Sequence, residues 1–216
     1  WRWDPMPQFL ASRGYVVIEP EFRGSTGFGS AHFRAGWKQW GRAMQDDVAD
    51  AVLWASDKGL IDPKRVCIAG ASYGGYATLM GLVRHPELYR CGAAWVAVAE
   101  PALLFDAGWE NDVSLEARQY RLPVLLGDPK ADAEMLREVS PVAQAARIKA
   151  PLLLAYGERD RRVPLEHGKR LREALQAAGR EPDYVVYDGE GHAWRRTATR
   201  VDFAERLERF LSLHLK

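Results

Sequence analysis

The sequence predicts an α/β protein built on a mostly parallel sheet with helices on both faces. Short apolar runs alternate along the chain with amphipathic stretches, which is the pattern of repeated strand–helix units. The apolar runs show no polar alternation, as expected for strands that are buried on both faces. Hydrophobic residues make up 47% of the 216 residues and charged residues 27%, which is typical of a globular protein.

Strands are predicted where several apolar or β-branched residues follow one another. The first of them comes directly after a helix-like segment that ends near residues 12–14. The predicted strands are residues 15–18, 65–69, 92–99, 151–156 and 184–187.

Helices are predicted where apolar residues recur at a spacing of three or four. One such stretch covers residues 47–58 and stops at Gly59, and another covers residues 73–84. A third covers residues 165–178 and ends at Gly179. A last helix near the C-terminus carries a single apolar stripe made of Phe203, Leu207, Phe210 and Leu211.

The charge balance argues against nucleic acid or a membrane as partner. Thirty basic residues face 29 acidic ones, a net charge of +1, so no strong field would attract a polyanion. No apolar run approaches the roughly 20 residues of a membrane helix. The two cysteines, Cys67 and Cys91, are too few for a disulfide framework, so a reducing, cytoplasmic compartment is predicted.

No metal or cofactor is predicted. Histidines, cysteines and carboxylates do not cluster at metal-ligand spacing. The glycine-rich residues 23–29 lack both a dinucleotide fingerprint and a phosphate-loop lysine, and we interpret them as a turn near the site.

The strongest chemical signal is the segment Gly-Ala-Ser-Tyr-Gly-Gly at residues 70–75. It lies between a predicted strand and a predicted helix, which is the context of a nucleophile elbow around Ser72. Gly70 and Gly74 would remove Cβ atoms that clash in the sharp reversal. The following helix directs its N-terminus at the serine, and the N–H of Tyr73 is placed as an oxyanion donor. The competing interpretation is a glycine-rich tight turn without chemistry.

A serine hydroxyl needs a base, and in this architecture the expected chain order is serine, acid, histidine. Of the five histidines, His192 follows a late predicted strand, with Gly191 before it. The remaining histidines lie in or beside helices, at the C-terminus, or before the serine: His85, His167, His214 and His32.

The acid is expected in the loop after the strand at residues 151–156. Asp160 is the first choice and Glu158 the second. Such an acid fixes the imidazole tautomer and stabilises the imidazolium. The competing interpretation is a solvated loop of mixed charge, because arginines surround Asp160.

The chain resembles the catalytic domain of the prolyl oligopeptidase family of serine peptidases, an α/β-hydrolase. Within the family it is most similar to the acylaminoacyl-peptidase and dipeptidyl-peptidase-like branch. The match spans nearly all of residues 1–216 as one domain. The motifs that carry it are E-F-R-G-S-T-G-F-G at 21–29, D-D-V at 46–48, G-L-I-D-P-K-R-V at 59–66, the elbow at 70–76, Y-G-E-R-D-R-R-V-P at 156–164, and E-G-H at 190–192.

The resemblance implies that Ser72 is the nucleophile, Asp160 the acid and His192 the base. Family members also carry one or two strands and a glycine-rich oxyanion loop upstream of the segment matched here, and an N-terminal β-propeller that screens substrate size. None of these is in the chain, so we expect an N-terminally truncated domain lacking its first strand or strands. Losing an oxyanion donor lowers rates about a hundred- to a thousandfold. An exposed sheet edge would also favour homo-oligomers.

Three functions follow from these residues. The first is hydrolysis of peptide bonds in short peptides or acyl-peptides through an acyl-enzyme. The second is hydrolysis of a carboxyl ester by the same triad. The third is an interaction domain that keeps the fold and is catalytically silent.

Overall fold

The computed structural model describes residues 3–106 and 113–215. Within these ranges one sheet contains four strands in the order β1 to β4, and every neighbouring pair is parallel. The strands are β1 (Cys67–Ala71), β2 (Cys91–Trp95), β3 (Leu152–Gly157) and β4 (Asp183–Tyr187). The predicted parallel sheet is therefore confirmed.

Four of the eight described α-helices lie between strands in sequence, three precede β1 and one follows β4. The α-helices are α1 (Pro5–Ser12), α2 (Gly29–Ala35), α3 (Ala43–Asp57), α4 (Tyr73–Arg84), α5 (Leu122–Leu125), α6 (Ala133–Glu138), α7 (Glu166–Ala177) and α8 (Thr197–His214). Shorter turns of 3₁₀-helix cover Pro101–Phe105 and Ala145–Arg147, and a π-helical turn covers Ala117–Arg121. No helix in residues 3–106 and 113–215 is long and apolar enough to cross a bilayer.

The core has two layers, one on each face of the sheet, because successive side chains of a strand point to opposite faces. Leu154 and Tyr156 of β3 belong to a buried cluster that includes Leu171 of α7. Leu153, directly before Leu154, belongs to a second cluster, with Leu207 of α8. Helices therefore cover both faces, as predicted.

The strand predicted at residues 15–18 does not form. The described part of the chain offers this segment no strand partner, and Val16, Val17 and Ile18 are 61%, 36% and 37% exposed. An apolar run becomes a strand only when a neighbouring backbone accepts its hydrogen bonds. β1 pairs with β2 on one side, and no described strand pairs with its other side.

The strand predicted at residues 92–99 ends earlier, at Trp95. Val96 has a φ of +44°, which is unusual for a β-branched residue and turns the chain out of the sheet. Residues 96–99 are nevertheless buried, so their apolar character reflects a buried loop rather than a strand.

His167, near the start of α7, holds this buried loop. Its Nδ1 accepts hydrogen bonds from the backbone N–H groups of Ala99 and Glu100, each at 3.2 Å. Nδ1 must therefore be unprotonated, and the ring is 1% exposed. Burial lowers the pKa of His167 to about 4, although the charge of Asp160 acts in the opposite direction.

This contact predicts a pH-dependent stability. Between pH 4 and about 6.5 the unfolded chain binds a proton at His167 that the folded chain excludes, so the free energy of unfolding rises with pH by about 3 kcal/mol. His167→Gln keeps an acceptor oxygen but cannot titrate, and it should lose this part of the slope. Urea denaturation of the unmodified protein and of His167→Gln, at pH 4.5 and pH 7, measures the free energy of unfolding. If the two proteins gained the same free energy of unfolding between these pH values, His167 would not be the group responsible.

Candidate active site

Ser72 lies at the turn between β1 and α4 in a backbone conformation that non-glycine residues rarely adopt. Its φ is 57° and its ψ is −116°. Its N–H donates to the carbonyl oxygen of Trp95 at the end of β2, at 3.0 Å, which holds the strained residue against the sheet. The segment thus has the strand–turn–helix geometry of a nucleophile elbow.

The two glycines that flank Ser72 have different roles. A Cβ at Gly70 would lie 2.5 Å from the carbonyl carbon of Gly74, which is too close for any side chain. A Cβ at Gly74 would meet no atom within 4 Å. The sequence interpretation is therefore correct for Gly70 and wrong for Gly74, whose backbone, rather than its missing side chain, makes the turn tight.

The imidazole of His192 lies between the predicted nucleophile and the predicted acid. Its Nε2 is 2.9 Å from Oγ of Ser72, and its Nδ1 is 2.8 Å from Oδ2 of Asp160. An ionised carboxylate can only accept, so Nδ1 carries the proton and Nε2 presents a lone pair to the serine hydroxyl. The three residues follow β1, β3 and β4, and parallel strands bring their carboxyl ends to one edge of the sheet.

Asp160 is held by its own loop. Its side chain is 0% exposed, and its Oδ1 accepts the N–H groups of Arg162 and Val163 at 2.8 and 2.9 Å. The second candidate acid, Glu158, instead accepts the N–H of Gly189 at 3.0 Å, and its side chain is 47% exposed. The structure brings Asp160, and not Glu158, to His192.

The other histidines have different partners. His32 contacts the carbonyl oxygen of Phe22, His85 lies beside Asp46, and His214 packs on Phe210. Together with the contact of His167 to the loop after β2, these partners account for every remaining histidine of the chain.

The loops that carry Asp160 and His192 form one unit. A Cβ at Gly157 would overlap the carbonyl oxygens of Glu190 and Gly191, so only glycine permits this approach. The N–H of Arg159 donates to the carbonyl oxygen of Glu190 at 2.8 Å. Sequence reasoning missed Gly157 and Glu190, although both stand in motifs, Y-G-E and E-G-H, that it singled out.

Tyr73 begins α4, so its N–H has no acceptor within the helix and is adjacent to Ser72. Its ring packs against Trp40 and Phe22, with centroids 4.6 and 5.2 Å away. Burial raises the pKa of the Tyr73 hydroxyl, so the side chain stays neutral. The free N–H matches the predicted oxyanion position, which remains a prediction.

A serine at the strand-to-helix turn of a parallel sheet, with histidine and aspartate from later strand ends, defines the α/β-hydrolase class. A model of the prolyl oligopeptidase family matches residues 1–216. The chain therefore belongs to the prolyl oligopeptidase family of serine peptidases, as its motifs predict.

Individual relatives support this assignment. The chain is 38% identical over 210 residues to dipeptidyl aminopeptidase BIII of Pseudoxanthomonas mexicana, covering 95% of this chain and 30% of that protein. It is 28% identical over 214 residues to the human acylamino-acid-releasing enzyme, covering 99% and 29%. A puromycin-hydrolyzing peptidase of Mycobacterium tuberculosis superposes with a TM-score of 0.83 at 27% identity, covering 90% and 29%. The chain thus spans about three tenths of the length of these relatives.

The two elbow glycines provide a matched pair of variants. Gly70→Ala should strongly destabilise the protein, because its methyl group would overlap the backbone of Gly74. Gly74→Ala meets open space inside a helix and should be neutral or stabilise by up to about 1 kcal/mol. Chemical denaturation gives both values, and equal destabilisation by the two substitutions would contradict the described turn.

Proposed function

We propose that Ser72, His192 and Asp160 form a catalytic triad that hydrolyses amide bonds of short peptides or acyl-peptides. The observation that carries the proposal is the bridging imidazole, 2.9 Å from Oγ of Ser72 and 2.8 Å from the Asp160 carboxylate. This series of hydroxyl, imidazole and carboxylate supports the proposal, because activation of a weakly nucleophilic hydroxyl requires an adjacent, oriented base.

The reaction proceeds in two stages. Oγ of Ser72 attacks the scissile carbonyl carbon while Nε2 of His192 takes the hydroxyl proton, and the carbonyl oxygen becomes an oxyanion near the N–H of Tyr73. Collapse of this intermediate breaks the C–N bond, and His192 returns the proton to the leaving amine. Water then attacks the acyl-enzyme through the same base, releasing the acid and restoring Ser72.

Asp160 acts on the imidazole rather than on the substrate. Its buried carboxylate holds the Nδ1–H tautomer and stabilises the imidazolium that forms in both stages. The N–H groups of Arg162 and Val163 donate to its other oxygen and stabilise the negative charge of the carboxylate.

The substrate class rests on family membership. The relatives named above are an aminopeptidase that releases dipeptides, an enzyme that releases acylated amino acids, and a peptidase that hydrolyses puromycin. The first two names support a short peptide or an acyl-peptide as the proposed substrate class. An N-terminal β-propeller in the complete protein, a cytoplasmic location and self-association remain predictions.

A fluorophosphonate probe tests the nucleophile. In the complete gene product the probe should label Ser72, and Ser72→Ala should abolish labelling and lower kcat by about 10⁶-fold. Ser12→Ala, at an exposed serine that bonds to its own helix, is the matched control and should be labelled like the unmodified protein. Intact-protein mass spectrometry follows the adduct, and labelling that persists in Ser72→Ala would exclude this nucleophile.

Paired substrates test the bond that is cleaved. An aminoacyl or acyl-aminoacyl anilide and a p-nitrophenyl ester of the same acyl group share the acylation chemistry and differ in the leaving group. A peptidase should turn over both, with comparable deacylation rates. Turnover of the ester alone would replace the peptidase proposal with an esterase, and turnover of neither, without probe labelling, would indicate a silent interaction domain.

A further inference from the structure

Glu190 is a buried charged residue to which the mechanism above gives no role. It lies in the turn after β4, two residues before His192, and it is 1% exposed. An ionisable side chain is seldom enclosed to this degree unless hydrogen bonds compensate its charge.

The carboxylate of Glu190 meets the start of α8. One oxygen accepts the N–H of Arg195 at 2.8 Å, and the other accepts the N–H of Arg196 at 3.0 Å, while Thr199 contributes a side-chain hydrogen bond. Helix N-termini favour negative charge. Burial by itself raises the pKa of Glu190, but the hydrogen bonds outweigh it and leave the pKa below its ordinary value.

The backbone of the same residue joins two further elements. Its carbonyl oxygen accepts the N–H of Arg159 in the acid loop at 2.8 Å, and its N–H donates to the carbonyl oxygen of Tyr187, the last residue of β4, at 3.3 Å. Glu190 thus connects β4, the loop of Asp160 and the N-terminus of α8.

His192 belongs to the loop of residues 190–196, whose two ends are joined by the contacts of Glu190. The side chain of Glu190 reaches forward over residues 191–194 and hydrogen-bonds the backbone at positions 195 and 196, so both ends of the loop are fixed by one residue. A loop closed in this way has fewer conformations than an open one, and a base displaced by about 1 Å loses about a hundredfold in rate.

We propose that Glu190 is a positioning residue for the base: its carboxylate closes the loop of residues 190–196 and thereby holds the imidazole of His192 between Ser72 and Asp160. This inference rests on the proposed hydrolase function and deepens it. A helix cap alone would stabilise α8 and leave the reactivity of folded molecules unchanged.

The test compares Glu190→Ala, Glu190→Gln and Leu207→Ala in the complete gene product. Leu207 is fully buried in α8, so its truncation destabilises the same helix without touching the loop of His192. Glu190→Gln keeps one acceptor oxygen and should recover part of the effect. All rates are measured well below the melting temperature and per folded molecule.

Two readouts separate positioning from stability. The rate of Ser72 phosphonylation and kcat should fall about ten- to a hundredfold in Glu190→Ala, by less in Glu190→Gln, and not in Leu207→Ala, with KM changing less than about threefold. The downfield proton resonance of the His192–Asp160 hydrogen bond should broaden or vanish in Glu190→Ala and persist in Leu207→Ala.

Equal rates and an unchanged resonance in Glu190→Ala would overturn the inference, while probe labelling of the unmodified protein would leave the proposed function intact. If Glu190→Ala does not fold, Glu190→Gln decides by the same two readouts. Absence of labelling in the unmodified protein would instead refute the proposed function. The His192–Asp160 proton resonance needs no substrate, so comparing it between the unmodified protein and Glu190→Ala would still test whether Glu190 positions His192.

Discussion

The buried carboxylate of Asp160 is the group on which the site depends. A charge with no solvent contact must have its acceptor sites filled, and here Arg162 and Val163 fill one oxygen and His192 the other. If His192 moved away, Oδ2 of the buried Asp160 would lose this hydrogen bond, at a cost in free energy. The carboxylate therefore favours the tautomer with the proton on Nδ1, which leaves Nε2 of His192 facing Oγ of Ser72.

Close backbone contacts bring the side chains of the proposed triad to one place. Gly70 lets β1 and α4 meet at the turn of Ser72, and Gly157 lets the loops after β3 and β4 touch. The strained φ values at Ser72 and at Val96 occur at the ends of adjacent strands and are joined across them by the hydrogen bond from Ser72 to Trp95. The rigid parallel sheet supports this strain, which isolated loops could not hold.

The site is local, although its residues are far apart in the chain. Its groups come from three strand ends and the N-terminus of one helix, and backbone hydrogen bonds hold Ser72, Asp160 and Glu190 in place. Such contacts tolerate surface substitution, which is consistent with a TM-score of 0.83 at 27% identity to a solved peptidase. Two of the three described non-glycine residues with positive φ, Ser72 and Val96, lie at the same edge of the sheet as the Asp160–His192 pair.

Local pattern in the sequence determined most of the fold: four of the five predicted strands, the principal helices, the turn around Ser72, and the positions of Ser72, Asp160 and His192 after successive strands. These features depend on periodicity and on chain order, which a sequence contains. Tertiary structure alone decided which apolar run found a strand partner, that Asp160 rather than Glu158 reaches the imidazole, that Gly70 rather than Gly74 needs its missing side chain, and that Glu190 closes the loop of His192. Each of these depends on which atoms meet once the elements have packed, because hydrogen-bond partners and van der Waals space exist only then.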